Sequence, residues 1–109
     1  MRLYIATPIN ARKGKSMKEK LIEAKHRIEL LKEVLDDDEH FKQYDTVSTF
    51  DLNDVGELSE AEAMGRCIKL VLTCDAIYLD HGWNASKGCN LEYRAAKIYG
   101  LTIYEHDKL

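Results

Sequence analysis

The sequence has no long hydrophobic run, no excess of basic residues and no even set of cysteines that could form a disulfide framework. Its longest apolar runs, such as Ala76–Leu79, are far too short to cross a bilayer, so we expect no membrane association. The net charge of −3 argues against a general affinity for nucleic acid polymers, because no positive field is available to displace counterions. Three cysteines, with an amino terminus that runs straight into a strand-like segment, predict reduced thiols and a cytoplasmic location.

What the sequence does contain is the composition of an ordinary globular domain. Hydrophobic residues make up 45% and charged residues 32% of its 109 residues. This length allows one core and leaves no room for a second, so we predict a single domain over residues 1–109. No repeat, low-complexity stretch or linker interrupts it.

Strand-like apolar runs alternate along the chain with runs of helical period. The predicted strands are Leu3–Ala6, Tyr44–Phe50, Ala76–Leu79 and Leu101–Tyr104. Three helices are predicted between them: one capped by Ser16, one capped by Ser59 and one from about Gly88 to Tyr99. The first has the clearest apolar stripe, formed by Met17, Leu21, Ala24, Ile28, Leu31 and Leu35.

This order predicts an α/β fold with three layers, an open parallel sheet of about four strands and helices on both faces, as in flavodoxin-like and Rossmann-like domains. Right-handed crossovers give the strand order 2-1-3-4. Ligands of such sheets bind beyond the carboxyl ends of the strands, where the order changes direction. The predicted site therefore lies between the loops Thr7–Lys15 and Asp80–Gly88.

The second of these loops carries the residues that are most informative about ligands. Trp83 lies outside the predicted strands and helices, where it could stack on a base or, equally well, cover the end of the sheet. Ser86, Lys87 and Gly88 lead into a helix start whose free N–H groups attract anions, although a plain N-cap explains Ser86 more simply. Glu92 is predicted in the first turn of that helix, where the dipole favours an ionised carboxylate.

Three segments together resemble the nucleoside 2-deoxyribosyltransferase superfamily: MRLYIATPI, RCIKLVLTCDAIYLDHGW and SKGCNLEYRAAKIYGLTIYE. The likeness is greatest to the short phage and bacterial members of unassigned function. It covers nearly the whole chain but is absent between about Asp36 and Leu58. The superfamily includes transferases, which exchange the base on deoxyribose, and 2′-deoxynucleoside 5′-monophosphate N-glycosidases, which hydrolyse the same bond.

The resemblance implies roles for particular residues. Glu92 matches the glutamate that attacks the anomeric carbon, and Tyr4 matches the tyrosine that orients it. Ser86 stands where the monophosphate glycosidases have a phosphate-binding serine, which together with Lys87 and the basic loop 12–15 favours a phosphorylated ligand. The residues expected to bind substrate are Thr7, Pro8, Ile9, Gly82, Trp83, Ser86, Lys87 and Gly88.

The chain departs from this family pattern at two positions. Cys67 replaces an aspartate that assists the departing base or contacts the sugar, and a thiol is a poor substitute for a carboxyl acid. Asp80 or His81 would then have to protonate the base. Thr7 replaces a common glycine and could crowd the ligand.

The sequence thus favours cleavage or transfer of an N-glycosidic bond in a nucleoside or nucleoside 5′-monophosphate. The alternative is a module that binds a nucleotide in the same pocket without cleaving it, as the loss of the acid at Cys67 would suggest. No cofactor and no metal is expected, because no pair of histidines has metal-ligand spacing. The resemblance implies a homodimer or higher homo-oligomer.

Overall fold

A computed structural model describes residues 1–9, 14–52 and 59–109 and confirms the α/β fold, with four parallel strands in the order β2-β1-β3-β4. The strands are β1 (Arg2–Ala6), β2 (Asp45–Val47), β3 (Ala76–Leu79) and β4 (Thr102–Glu105). The helices are α1 (Met17–Asp36), α2 (Glu60–Val71) and α3 (Lys87–Ile98), and short 3-10 turns span Thr49–Asp51, Trp83–Ala85 and His106–Lys108.

The helices cover both faces of the sheet, as the element order predicts. Successive side chains of a strand point to opposite faces. One face, which includes Leu3 and Ile5 of β1, packs against α1. The other, which includes Tyr4 and Ala6, packs against α2 and α3. None of the described helices is both long and apolar enough to span a membrane.

Serine caps fix where each helix begins. Ser16, Ser59 and Ser86 are extended residues whose hydroxyl oxygens accept the backbone N–H of the residue three positions later. On α1 the stripe buries Ala24, Ile28, Leu31 and Leu35, while Met17 at the first position is 53% exposed. The predicted stripe is therefore correct over the last three turns of its range and wrong at its start.

The second strand is shorter than the predicted Tyr44–Phe50, because a local cap ends it. The Ser48 hydroxyl accepts the Phe50 N–H, and the Ser48 N–H donates to the Asp51 carboxylate over 2.6 Å. These two bonds turn the chain into a 3-10 turn that starts at Thr49. The turn brings Thr49 into the interior, where it is 8% exposed.

Removing side-chain volume from the centre of the sheet tests the layered core. Ile77 in β3 is fully buried, whereas Ile98 at the end of α3 is 79% exposed. We expect Ile77→Ala to lower the free energy of unfolding by about 2–5 kcal/mol, because it removes buried apolar contacts and leaves a cavity. The same change at Ile98 should cost less than about 0.5 kcal/mol. Urea unfolding followed by circular dichroism measures both; equal costs would contradict this packing.

Candidate active site

The side chains of Tyr4 and Glu92 meet inside the layer between the sheet and α3. The Tyr4 hydroxyl, on β1, donates a hydrogen bond to Oε2 of Glu92. Both side chains are buried, with exposed fractions of 1% and 6%. The sheet and the helix thus bring together two residues that are 88 positions apart in the chain.

Glu92 lies in the second turn of α3, not in the predicted first turn, because the helix already begins at Lys87. The ionisation predicted from the helix dipole is also only partly correct. Burial raises the pKa of Glu92 to about 7, although the hydrogen bond from Tyr4 lowers it. Desolvation outweighs the dipole because Glu92 is on the inner face of the helix, out of water. The carboxyl group therefore titrates near neutral pH, well above the range of an exposed glutamate.

Cys67 and Thr49 lie next to this pair. The Thr49 hydroxyl is 3.1 Å from the Cys67 sulfur. Burial, and then the nearby Glu92 and Cys67, raise the pKa of Tyr4. Burial raises the pKa of Cys67, so the thiol stays protonated. The departure at position 67 thus lies close to Tyr4. Thr49 escaped prediction because it was assigned to a continuous strand.

Asp80 and Thr7 lie on the α1 side of the sheet, away from the face that carries Tyr4. The Asp80 carboxylate accepts two hydrogen bonds from the Arg27 guanidinium, at 2.8 and 3.0 Å, and one from the Thr7 hydroxyl at 3.2 Å. Burial acts to raise the pKa of Asp80, but these bonds and the His81 N–H outweigh it and lower the pKa. Asp80 is therefore an ionised carboxylate. Arg27 was missed because its position on α1 carries no local signal.

The two loops at the switch point touch, as predicted. Gly82 has a φ of +81°, which favours glycine, and a β-carbon there would lie 3.7 Å from Pro8. A cavity of about 670 Å³ opens beside them, with walls that include Pro8, Arg27, His81 and His106. The His81 ring is exposed, and its Nδ1 lies 2.9 Å from the Asp107 carboxylate. Ile9, half-buried, follows Pro8 in the first loop.

Trp83 packs against the protein rather than standing free in the loop. Its ring lies 4.9 Å from that of Tyr93 on α3, at an angle of 45°, and it contacts the second core. The Nζ atom of Lys97 lies over the Tyr93 ring, 5.8 Å from its centre. Of the two alternatives predicted for Trp83, the structure shows the one in which the ring covers the end of the sheet. The ring is only half-buried, so part of it remains exposed there.

The start of α3 has the features of an N-cap. Ser86 is 5% exposed, and its Oγ accepts the Cys89 N–H at 3.3 Å. Ser86 and Lys87 border a second open cavity, of about 460 Å³, together with Asn84, Asn90 and Arg94. A β-carbon at Gly88 would lie 3.6 Å from the Met64 sulfur of α2, an ordinary van der Waals distance, so the packing of the two helices does not require glycine at this position.

The predicted site residues thus form separate groups around the carboxyl edge. Tyr4 and Glu92 lie on the α3 face, Thr7 and Asp80 on the α1 face, and neither of the two cavities is lined by Glu92. Residues 12 and 13 of the predicted basic loop lie outside the described residues. Within residues 1–9, 14–52 and 59–109, no group of three or more His, Cys, Asp or Glu side chains could hold a metal ion.

The buried carboxyl group should make stability depend on pH. Folding raises the pKa of Glu92 from 4.5 to about 7, so the folded state binds its proton more tightly than the unfolded state. Stability from this group is full below about pH 4.5 and is lost as pH rises through 7. As the pH rises from 5 to 8.5, we expect the free energy of unfolding of Glu92→Gln to increase relative to that of the natural protein, on the order of a few kcal/mol. Urea unfolding at both pH values measures this gain.

The exposed Glu29→Gln variant on α1 is the matched control for the loss of one carboxyl group. Its stability relative to the natural protein should stay constant between the two pH values. A Glu92→Gln variant that behaves in the same way would mean that the Glu92 carboxyl group is ordinary.

One comparison with known proteins gives a match. A model of a domain family described as a domain of unknown function, DUF4406, matches residues 1–105. No curated protein and no solved structure matches the chain. The family match covers all four strands and all three helices, including Tyr4 and Glu92. The chain therefore belongs to the DUF4406 family of domains.

Proposed function

We propose that the protein cleaves the N-glycosidic bond of a nucleoside or nucleoside 5′-monophosphate, or transfers its sugar to a second base, with Glu92 as the nucleophile. The observation that carries this proposal is the buried hydrogen bond from Tyr4 to Glu92 at the centre of the α3 face. A desolvated carboxylate held by one neutral donor is a stronger nucleophile than a solvated one and has a fixed direction of attack.

The reaction takes two displacements. A Glu92 oxygen attacks the anomeric carbon, the bond from that carbon to the base nitrogen breaks, and the base leaves with the electron pair and takes up a proton. Water, or a second base, then attacks the same carbon, breaks the glycosyl ester and frees the carboxylate. Positive charge develops on the sugar in both steps, and the carboxylate stabilises it.

The proton for the departing base has to come from a group other than Asp80. That carboxylate is ionised and bound to Arg27, so it accepts hydrogen bonds and has no proton to give near neutral pH. We assign it the task of fixing the loop that follows β3 against α1 and Thr7. His81, exposed at the same loop, remains the candidate proton donor.

The remaining contacts proposed for the substrate use the edge of the sheet. Ser86 accepts from Cys89, which leaves its own hydroxyl hydrogen to donate to a phosphate beside Lys87 and the backbone of Gly88. The half-buried Trp83 and the loop Thr7–Ile9 supply apolar surface for the base. Glu92 is 6% exposed, so side chains that cover it must move for the sugar to reach it.

The second candidate is a module that binds a nucleotide without cleaving it. The buried thiol of Cys67 supports this reading, because it supplies no acid where the enzymes that the sequence resembles have a carboxyl group. The closed surroundings of Glu92 also favour binding over turnover. In this function the same helix start and loops would hold the ligand.

Release of free base distinguishes the two functions. We expect the protein, incubated with nucleosides and nucleoside 5′-monophosphates of the ribose and deoxyribose series, to release base that chromatography detects. Glu92→Gln should lower the rate by about 10³-fold or more, since it removes the nucleophile. Glu29→Gln should retain full activity.

A thermal-shift measurement on the same panel covers the binding function. A nucleotide at a hundred times its dissociation constant should stabilise the protein by about 2.7 kcal/mol. A stabilising nucleotide that is recovered intact would support the binding module and refute the enzyme. Activity that survives Glu92→Gln would refute the assigned nucleophile.

The pH dependence of the reaction should report on the Tyr4–Glu92 hydrogen bond. We expect kcat/KM to rise as the pH passes about 7, because the ionised form of Glu92 attacks. The bond from Tyr4 lowers the pKa of Glu92, so Tyr4→Phe should move this rise to higher pH. Tyr99→Phe is the control, since Tyr99 is 69% exposed at the end of α3. A Tyr4→Phe profile with an unmoved midpoint would contradict the role of Tyr4.

Two expectations from the sequence remain predictions. One is a cytoplasmic location, and the other is assembly into a homodimer or higher oligomer in which a neighbour completes the pocket. Size-exclusion chromatography with light scattering tests the second directly.

A further inference from the structure

The Arg27 side chain has hydrogen-bonding capacity that its ion pair with Asp80 does not use. Nε and Nη2 of Arg27 donate to the Asp80 carboxylate over 3.0 and 2.8 Å. A guanidinium carries five N–H hydrogens in one plane, so this side-on pairing leaves three, and one on each Nη atom points outward in parallel. No other hydrogen bond of Arg27 is present within residues 1–9, 14–52 and 59–109. A fork of two N–H donors is therefore available for a ligand.

Arg27 borders the cavity of about 670 Å³ beside the loops that follow β1 and β3, which we call the Arg27 cavity. The Arg27 side chain is half-buried in its wall, with 31% of its surface exposed. Pro8, Gly82 and Ala85 add small apolar surfaces to the walls. The volume lies in the range of small-molecule sites, roughly 300–1,000 Å³. The cavity can thus take a ring-sized ligand that offers hydrogen-bond acceptors to Arg27.

The charges around the Arg27 cavity favour a neutral ligand over an anion. Asp80 already balances the charge of Arg27. Asp107 adds a second carboxylate to the walls, and its two oxygens lie 2.9 and 3.0 Å from Nδ1 of His81. With neutral histidines, the described walls carry one positive and two negative charges. This negative excess would repel a phosphate or carboxylate group, but not an uncharged heterocycle with two adjacent acceptors.

We propose that the Arg27 cavity is the subsite for the base of the substrate, and that Arg27 selects a 6-oxopurine such as hypoxanthine or guanine. The O6 and N7 atoms of a 6-oxopurine are adjacent acceptors that match the two parallel donors of an arginine. Adenine has an amino group in place of O6, so one donor of the fork would face another donor. The place of this subsite in the reaction rests on the proposed function. The preference for the base does not.

In the reaction, the same two donors stabilise the departing base. When the bond between the anomeric carbon and the purine nitrogen breaks, the electron pair moves into the purine ring, and O6 and N7 gain negative charge. N–H donors fixed at these atoms stabilise that charge, while the proton still comes from His81 on the wall of the same cavity. The cavity lies at the carboxyl end of β1, the strand whose Tyr4 donates to Glu92.

Isothermal titration calorimetry with the free bases hypoxanthine and adenine measures the preference on the full chain. We expect hypoxanthine to bind at least about tenfold more tightly, as a bidentate arginine contact implies. Arg27→Lys keeps a cation beside Asp80 but loses the planar fork, so it should lower the affinity for hypoxanthine to that for adenine. Arg94→Lys, at the other cavity, is the matched control and should change neither affinity. Equal affinities in the natural protein, or a preference that survives Arg27→Lys, would overturn the proposal.

NMR on the natural protein locates the bound base without any substitution, which keeps the test decisive if Arg27→Lys does not fold. Hypoxanthine should shift the backbone amide signals of His81, Gly82 and Asp107, and leave those of Asn90 and Arg94 at the other cavity in place. The reverse pattern would overturn the proposal. Inorganic phosphate that displaces hypoxanthine from the Arg27 cavity would assign the cavity to an anion and would also overturn it.

Turnover distinguishes failure of this proposal from failure of the proposed function. If hypoxanthine binds through Arg27 while no base is released from any nucleoside or nucleotide, the glycosidase function fails and the base subsite stands. If base is released, kcat/KM should be higher for hypoxanthine nucleotides than for adenine nucleotides, and Arg27→Lys should remove the difference. Equal release of both bases, with no binding of hypoxanthine beside His81 and Gly82, would mean that the base subsite fails alone.

Discussion

The hydrogen bond between Tyr4 and Glu92 is the constraint on which the rest of the α3 face depends. A carboxyl group in this layer loses the stabilisation that water gives to its charged form, and no lysine, arginine or histidine in the described ranges contributes to its pKa. The Tyr4 hydroxyl must therefore stabilise the Glu92 carboxylate, and this hydrogen bond requires a fixed separation between β1 and α3. The small residues Cys89 and Ala96 on the inner face of α3 allow that separation.

The sheet divides polar residues of the carboxyl edge between two environments. On the α3 face, burial raises the pKa of Glu92 to about 7, and the hydrogen bond from the neutral Tyr4 offsets this rise only in part. On the α1 face, the Arg27 guanidinium keeps Asp80 ionised. The two carboxyl groups therefore have opposite pKa displacements, because one is buried beside a neutral donor and the other accepts hydrogen bonds from a guanidinium.

The sequence made the topology predictable because the alternation of apolar periods is a local property that tertiary contacts did not override. The strand order follows from right-handed crossovers. The end of β2 was mispredicted because the capping bonds of Ser48 compete with extended backbone within the same segment. The predicted start of α3, about Gly88, was correct to within one residue, but the first turn of a helix that begins at Lys87 ends before residue 92, so Glu92 lies in the second turn.

By itself, the sequence determined the element order, the parallel sheet, the caps and the contact between the loops after β1 and β3, since each follows from short-range pattern or from chain connectivity. Only the tertiary structure decided the charge state of each carboxyl group and the partners of Tyr4. Arg27 meets Asp80 across 53 positions, and Thr49 meets Cys67 across 18. Such pairs form only when packing of the layers turns both side chains inward. Desolvation shifts the pKa of a group only after those layers have packed together.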